Sequence, residues 1–198
     1  MSDTDRIAQI HRVTGETDID LALNLDGSGK AEIDTGIGFF DHMLDAFARH
    51  GFFDLTVKVK GDLNVDGHHT IEDTGIVLGQ AIARAVGDKA GIRRYGSFAL
   101  PMDETLVLCA LDLCGRAYFD TNVVYTVDRI GGFETEMARE FFLAVANNAF
   151  MNLHIREITG SNNHHLAEAS FKAFAKALDM ATSFDPRVHG VLSTKGSL

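Results

Sequence analysis

Residues 66–73 read DGHHTIED, and residues 162–169 read NNHHLAEA. Each stretch sets two adjacent histidines ahead of a glutamate: His68, His69 and Glu72 in the first, His164, His165 and Glu168 in the second. His-His-x-x-Glu is expected by chance in roughly one chain in fifty of this composition, so two copies point to a duplicated unit rather than coincidence.

Working outward, the surroundings of the two stretches repeat as well. The first is preceded by alternating apolar segments, RIAQIHRVTGE, DIDLALNLDG and KAEIDTG, which predict strands. A helix follows in GFFDHMLDAFARHG, with Phe40, Met43, Leu44 and Phe47 as its apolar stripe and Gly51 as its expected C-cap. The strand FDLTVKVKGD comes next, and after GHH a long helix with Ile76, Leu78, Ile82 and Val86 among its expected buried residues. In the second half, strands within SFALPMDETLVLCALDLCGRAYFDTNV lead to the helix TEMAREFFLAVANNAF, the strand MNLHIREITG and the helix NNHHLAEASFKAFAKALDMATSF. The pattern predicts an α/β fold, an α+β two-layer sandwich of internally duplicated half-domains in which sheets and amphipathic helices bury each other. The halves are expected at residues 1–92 and 93–198, divided near GIRRYG and together forming one compact unit. The closing DPRVHGVLSTKGSL has no strong period and reads as a tail lying on the surface or on a neighbour.

Imidazole nitrogen with carboxylate oxygen suits Zn, Mn, Fe or Ni, and the lack of a nearby thiolate argues against a structural zinc site. Cys109 and Cys114, in the alternating LVLCALDLCG, are expected on opposite faces, which excludes a local disulfide or thiolate clip. On a helix His68 and Glu72, or His69 and Glu72, share a face. Adjacent histidines do not, being turned by about 100° from one another. If both members of a pair are ligands they serve two metals, and two such pairs make a chain that contributes to two similar sites. The helix before each pair offers a further donor: His42 in FFDHML beside the first and, aligned with it, Glu140 in MAREFF beside the second. His11, His50, His154 and His189 lack such counterparts and read as ordinary histidines.

The bulk properties narrow the function. With 198 residues, 45% of them hydrophobic and 23% charged, the chain can bury a core and is not of the disordered class. Its net charge of -10 argues against nucleic acid or an anionic membrane as the main partner. No apolar run is long enough to span a bilayer, and MSDTDRIAQIHR lacks the apolar stretch of a secretory signal, so a cytoplasmic protein is expected.

Taken in order, GFFDHMLDAFARHGFFDL, GHHTIEDTG, GIRRYG, PMDETL, LDLCGRAYF, NLHI, NNHHLAEASFKAFAKAL and the closing STKG closely resemble the imidazoleglycerol-phosphate dehydratase family, from Arg6 to Gly196. With no phosphatase domain ahead of it, the chain is similar to the monofunctional form. The resemblance implies a hydro-lyase of L-histidine biosynthesis that dehydrates D-erythro-imidazole glycerol phosphate to imidazole acetol phosphate. It further implies two Mn(II) ions per subunit at subunit contacts, holding the substrate's ring as imidazolate, in a closed homo-oligomer of 24 subunits. Zn, Fe and Ni stay open on donor chemistry alone. By motif, the implied metal ligands are His42, His68, His69, Glu72, Glu140, His164, His165 and Glu168. Many members of the family carry His at the position of Glu140, where a carboxylate oxygen can still ligate Mn. The implied substrate contacts are Glu16 in VTGET, Arg94 in IRRYG, Arg116 in CGRAYF, and Ser193 and Lys195 in LSTKG. The last four form the basic pocket that an acidic chain needs for a small-molecule phosphate. Glu16 is the candidate base, and Glu72 and Glu168 are catalytic candidates through whichever oxygen a metal leaves free. Asp103 and Glu104 in PMDET have no role derivable from sequence. Two other classes use the same residues: a dinuclear metallohydrolase acting on a phosphate ester, and a non-catalytic metal-binding cage.

Overall fold

The computed structural model describes residues 6–198. In the first half, β1 (Ile7–Val13), β2 (Thr17–Asn24) and β3 (Ala31–Asp34) precede α1 (Gly38–Gly51), β4 (Asp54–Gly61) and α2 (His68–Val86). In the second, β5 (Tyr95–Met102), β6 (Thr105–Asp112) and β7 (Tyr118–Thr121) are followed by a short hairpin of β8 (Arg129–Ile130) and β9 (Phe133–Glu134). Then come α3 (Met137–Ala149), β10 (Asn152–Thr159) and α4 (Asn163–Thr182). The strand orders are β1-β2-β4-β3 and β5-β6-β10-β7, and in both sheets the third strand of the half runs parallel to the fourth while the other pairs are antiparallel. The repeat read from the histidine pairs is thus a repeat of topology. Only the two-residue strands β8 and β9 break it, an insertion too short to carry a strand period.

Alternation does in each sheet what it predicts: along β6 every second residue, from Thr105 to Leu111, is buried. Helix α2 covers β1 and β2, and α4 covers β5 and β6. Each half is therefore a sheet with helices on one face. The halves meet through helices, α2 against α3 and α1 against α4. Their apolar stripes, including Phe40, Phe47, Phe141, Phe171 and Phe174, merge into one core. Stacking of Phe47 on Phe174 and Phe141 on Phe171, with centroids 5.5 and 5.0 Å apart, crosses the α1–α4 contact and links α3 to α4.

Several local expectations change. Gly51 ends α1, but Phe52 takes the left-handed cap (φ 59°), and Phe150 repeats this after α3 (φ 52°). Gly51 is required for space instead, since a Cβ there would meet the Phe53 ring at 2.3 Å. Helix α2 stops at Val86, where Gly87 turns to φ 64°. On that helix Ile76 is half-buried and Val77 holds the core position. Cys114 lies beyond β6, and both cysteines are buried free thiols. The tail bridges back through Ala90 to Val191 and Ile92 to Phe184. Among the described residues, no helix is long and apolar enough to cross a membrane.

Helix α4 lies so close on β5 that a Cβ at Gly96 would come within 1.8 Å of the Ala177 carbonyl oxygen. Because backbone cannot rotate away as a side chain can, Gly96→Ala should cost at least the upper end of the usual overpacking range, about 3 kcal/mol. A urea midpoint unchanged from that of the parent chain would contradict this contact.

Candidate active site

Both histidine pairs sit in the first turn of a helix, held by a short polar side chain placed before them. Asp66 Oδ1 accepts from the His68 backbone N–H at 2.8 Å, and Asn162 Oδ1 from those of His164 and His165 at 2.9 and 3.3 Å. These acceptors satisfy N–H groups that a helix start leaves bare. One turn on, His68 Nε2 lies 3.4 Å from Glu72 Oε2 and His164 Nε2 lies 3.0 Å from Glu168 Oε2, as i,i+4 spacing requires. The rings within the pairs cross at 74° and 85°, so the second histidine of each aims elsewhere. His69 turns Nδ1 to Asp62 at 3.0 Å and Nε2 toward Glu16 Oε1 at 3.6 Å. His165 turns Nδ1 to Glu104 Oε2 at 2.9 Å.

Tertiary packing supplies the next donor from an unexpected side. Because α1 packs on α4, His42 faces the second half's pair and not the first's, with Nε2 3.3 Å from Glu168 Oε2. Two imidazole nitrogens converge on one carboxylate oxygen, and donor atoms of His42, His164 and Glu168 all lie within 4.8 Å of one another. This is the donor set that suits Mn, Fe, Zn or Ni. Burial works to raise the Glu168 carboxyl, but hydrogen bonds from Lys172 and His164 outweigh it and hold the group down at about 2. Lys172 lies on the second oxygen, Oε1, so both oxygens of Glu168 have a partner. Glu72, with only His68 beside its carboxylate among the described residues, has one oxygen without a partner.

The first half's site is less complete within one chain. Glu140 is paired with its neighbour Arg139 at 3.1 Å and does not gather with His68 and Glu72. Among the described residues, the other such grouping is His11 with Asp18 and Asp20 on the exposed β1–β2 surface. Glu16 stands in the β1–β2 turn, where its backbone N–H is held by Thr14 Oγ1 at 3.1 Å.

The four residues expected to bind phosphate come together elsewhere. Arg94, Arg116, Ser193 and Lys195 line one cavity of about 810 Å³, joined by Arg187 and His189 from the tail. Their charges are not equally free. Arg94 sends Nε and Nη2 to Asp112 at 2.6 and 2.9 Å and Nη1 to the Leu192 carbonyl at 2.7 Å, so its fork anchors the tail. The hydrogen bonds it donates to Asp112 raise its already high value further. Arg187 is bound to Asp185 at 2.6 Å. Arg116 and Lys195 have no ion pair among the described residues and are the cations left for an anion. The lining includes none of the histidines or glutamates of the paired motifs.

Asp62 and Lys172 are not singled out by the sequence, and Glu104 is named there without a role. A signal for Glu104 exists: DETLVLCALDLCG repeats GETDIDLALNLDG, matching Glu104-Thr105 to Glu16-Thr17. Asp62 and Lys172 carry no such signal.

The imidazoleglycerol-phosphate dehydratase family model matches residues 35–178, which span α1 to α4 and both histidine pairs. The chain belongs to that family. As a member of the imidazoleglycerol-phosphate dehydratases, a family of histidine biosynthesis, it is a hydro-lyase. The dehydratase of Lachnoclostridium phytofermentans is 64% identical over 194 residues, covering 98% of this chain and 99% of that one. That of Acetivibrio thermocellus is 59% identical, covering 98% and 100%. In structure, the Staphylococcus aureus dehydratase superposes with a TM-score of 0.83 at 38% identity, over 90% of this chain and 99% of that one. The Pyrococcus furiosus dehydratase, solved in complex with (S)-C348, does so with a TM-score of 0.82 at 36% identity, over 96% and 100%.

Proposed function

We propose that this chain removes water from D-erythro-imidazole glycerol phosphate to give imidazole acetol phosphate, using two Mn(II) ions per subunit. The observation that carries this reading is the convergence of His42, His164 and Glu168 in a chain whose separate cavity offers Arg116 and Lys195 free of ion pairs. A substrate with an imidazole ring at one end and a phosphate at the other has a partner for each. The ligands are His42, His68, His69, Glu72, Glu140, His164, His165 and Glu168. When bound, the ions supply Lewis acidity to the substrate's ring and favour its imidazolate.

The chain's own residues do the rest. Arg116, Lys195 and the Ser193 hydroxyl hold the phosphate, while Arg94 keeps the tail that carries Ser193 and Lys195 against the cavity. Glu16, exposed in its turn beside His69, takes the proton from the hydroxyl-bearing carbon one bond further from the ring. The C–O bond on the carbon next to the ring breaks, the leaving hydroxyl receives a proton through Glu72 and departs as water, and the resulting enol rearranges to the ketone. The phosphate cavity includes none of the paired-motif residues, and we take the closed site to draw its cations and its histidines from different copies, in a homo-oligomer of 24 subunits with metal sites at subunit contacts.

Incubation with Mn(II) and imidazole glycerol phosphate should form the ketone without inorganic phosphate, and turnover should vanish with a chelator and return with Mn(II). Phosphate release would instead mark a metallohydrolase. Bound metal with neither product would mark a cage without catalysis.

A further inference from the structure

Glu104 is held from two sides. Its Oε1 accepts from Thr105 Oγ1 at 2.9 Å and from the backbone N–H groups of Asn162 and Ser161 at 2.9 and 3.3 Å. Its Oε2 accepts from His165 Nδ1 at 2.9 Å. An ionised carboxylate only accepts, so the His165 proton sits on Nδ1 and leaves Nε2 with a lone pair. His69 is held in the same way at Nδ1, by both oxygens of Asp62 at 3.2 and 3.0 Å.

The two halves reach this arrangement from different positions. By the repeat, Glu16 is the counterpart of Glu104, yet it stands 3.6 Å from the other nitrogen of its histidine, because Asp62 already holds Nδ1. Asp62 is the residue directly after β4, and its counterpart directly after β10 is Gly160. A Cβ at Gly160 would come within 2.6 Å of Leu166 Cδ2 and 3.0 Å of Thr105 Oγ1, so a side chain there would have to displace Leu166.

We infer that Glu104 is the positioning residue that aims His165 Nε2 at a metal, that Asp62 does this for His69, and that Asp62 thereby releases Glu16 to face substrate. The inference rests on the metal-binding reading given above. The decisive variant is Glu104→Gln. Three donors at Oε1 force the amide oxygen to stay there, which turns the NH2 toward His165 Nδ1. The ring must then carry its proton on Nε2, which closes the ligand position while the backbone contacts survive.

In a titration of the full chain read by electron paramagnetic resonance of free Mn(II), Glu104→Gln should weaken one ion by on the order of 10- to 100-fold and leave the other as in the parent. Asp62→Asn should weaken the ion that His69 serves, and by less, because its side-chain amide can rotate to keep oxygen on the ring. With His165→Ala already present, Glu104→Gln should change nothing further. Two ions bound by Glu104→Gln as tightly as by the parent, equal weakening of both, or an added loss in the His165→Ala background would each overturn the inference. A parent chain that binds no Mn(II) would instead overturn the metal-binding reading, and the inference with it.

Discussion

Glu16→Gln is expected to lower kcat by roughly 10²–10⁴-fold, the range of a lost general base, with both Mn(II) ions still bound. Glu16 is exposed in the β1–β2 turn, and its carboxylate has His69 Nε2 as its neighbour at 3.6 Å. The amide keeps the size and loses only the ability to take a proton. Stability and metal content should therefore match the parent, so that the loss falls on turnover. Metal analysis beside steady-state kinetics separates the outcomes: near-normal kcat with two ions bound removes Glu16 from the chemistry, and missing metal makes it a ligand support instead.

His68→Ala and His69→Ala should release different ions, each weakened by more than the 10- to 100-fold typical of losing an outer contact. The rings cross at 74°; one faces Glu72 and the other faces Asp62 and Glu16. Glu72→Gln should act on the same ion as His68→Ala, because both change one i,i+4 pair. Mn(II) titration of the three variants gives the comparison. Loss of the same ion from both histidine variants would mean that neighbouring rings serve one metal, which their geometry opposes.

The elements of the fold were legible because their signals are local. Alternation in β6, the Phe40–Phe47 stripe and the repeated order of elements each depend on a period of two or of 3.6 residues within one segment. The same holds for His68 with Glu72 and His164 with Glu168, since one helical turn sets both distances. Glycine is the usual left-handed residue and so points to Gly51 as the cap, but Phe52 takes that conformation and the ring of Phe53 claims the space beside Gly51.

What the sequence by itself determined is the duplicated order of strands and helices, and a histidine and a glutamate on one face at the start of each long helix. Only the tertiary structure decided that His42 crosses to the second half's pair, that Arg94 spends its fork on Asp112 and the tail, and that Asp62 and Glu104 hold the outer histidines. The first set follows from backbone geometry over a few residues. The second depends on α1 lying against α4, on the tail returning to residues 90–94, and on Glu104 reaching the start of α4; these contacts join segments far apart in the chain, and no local period encodes them.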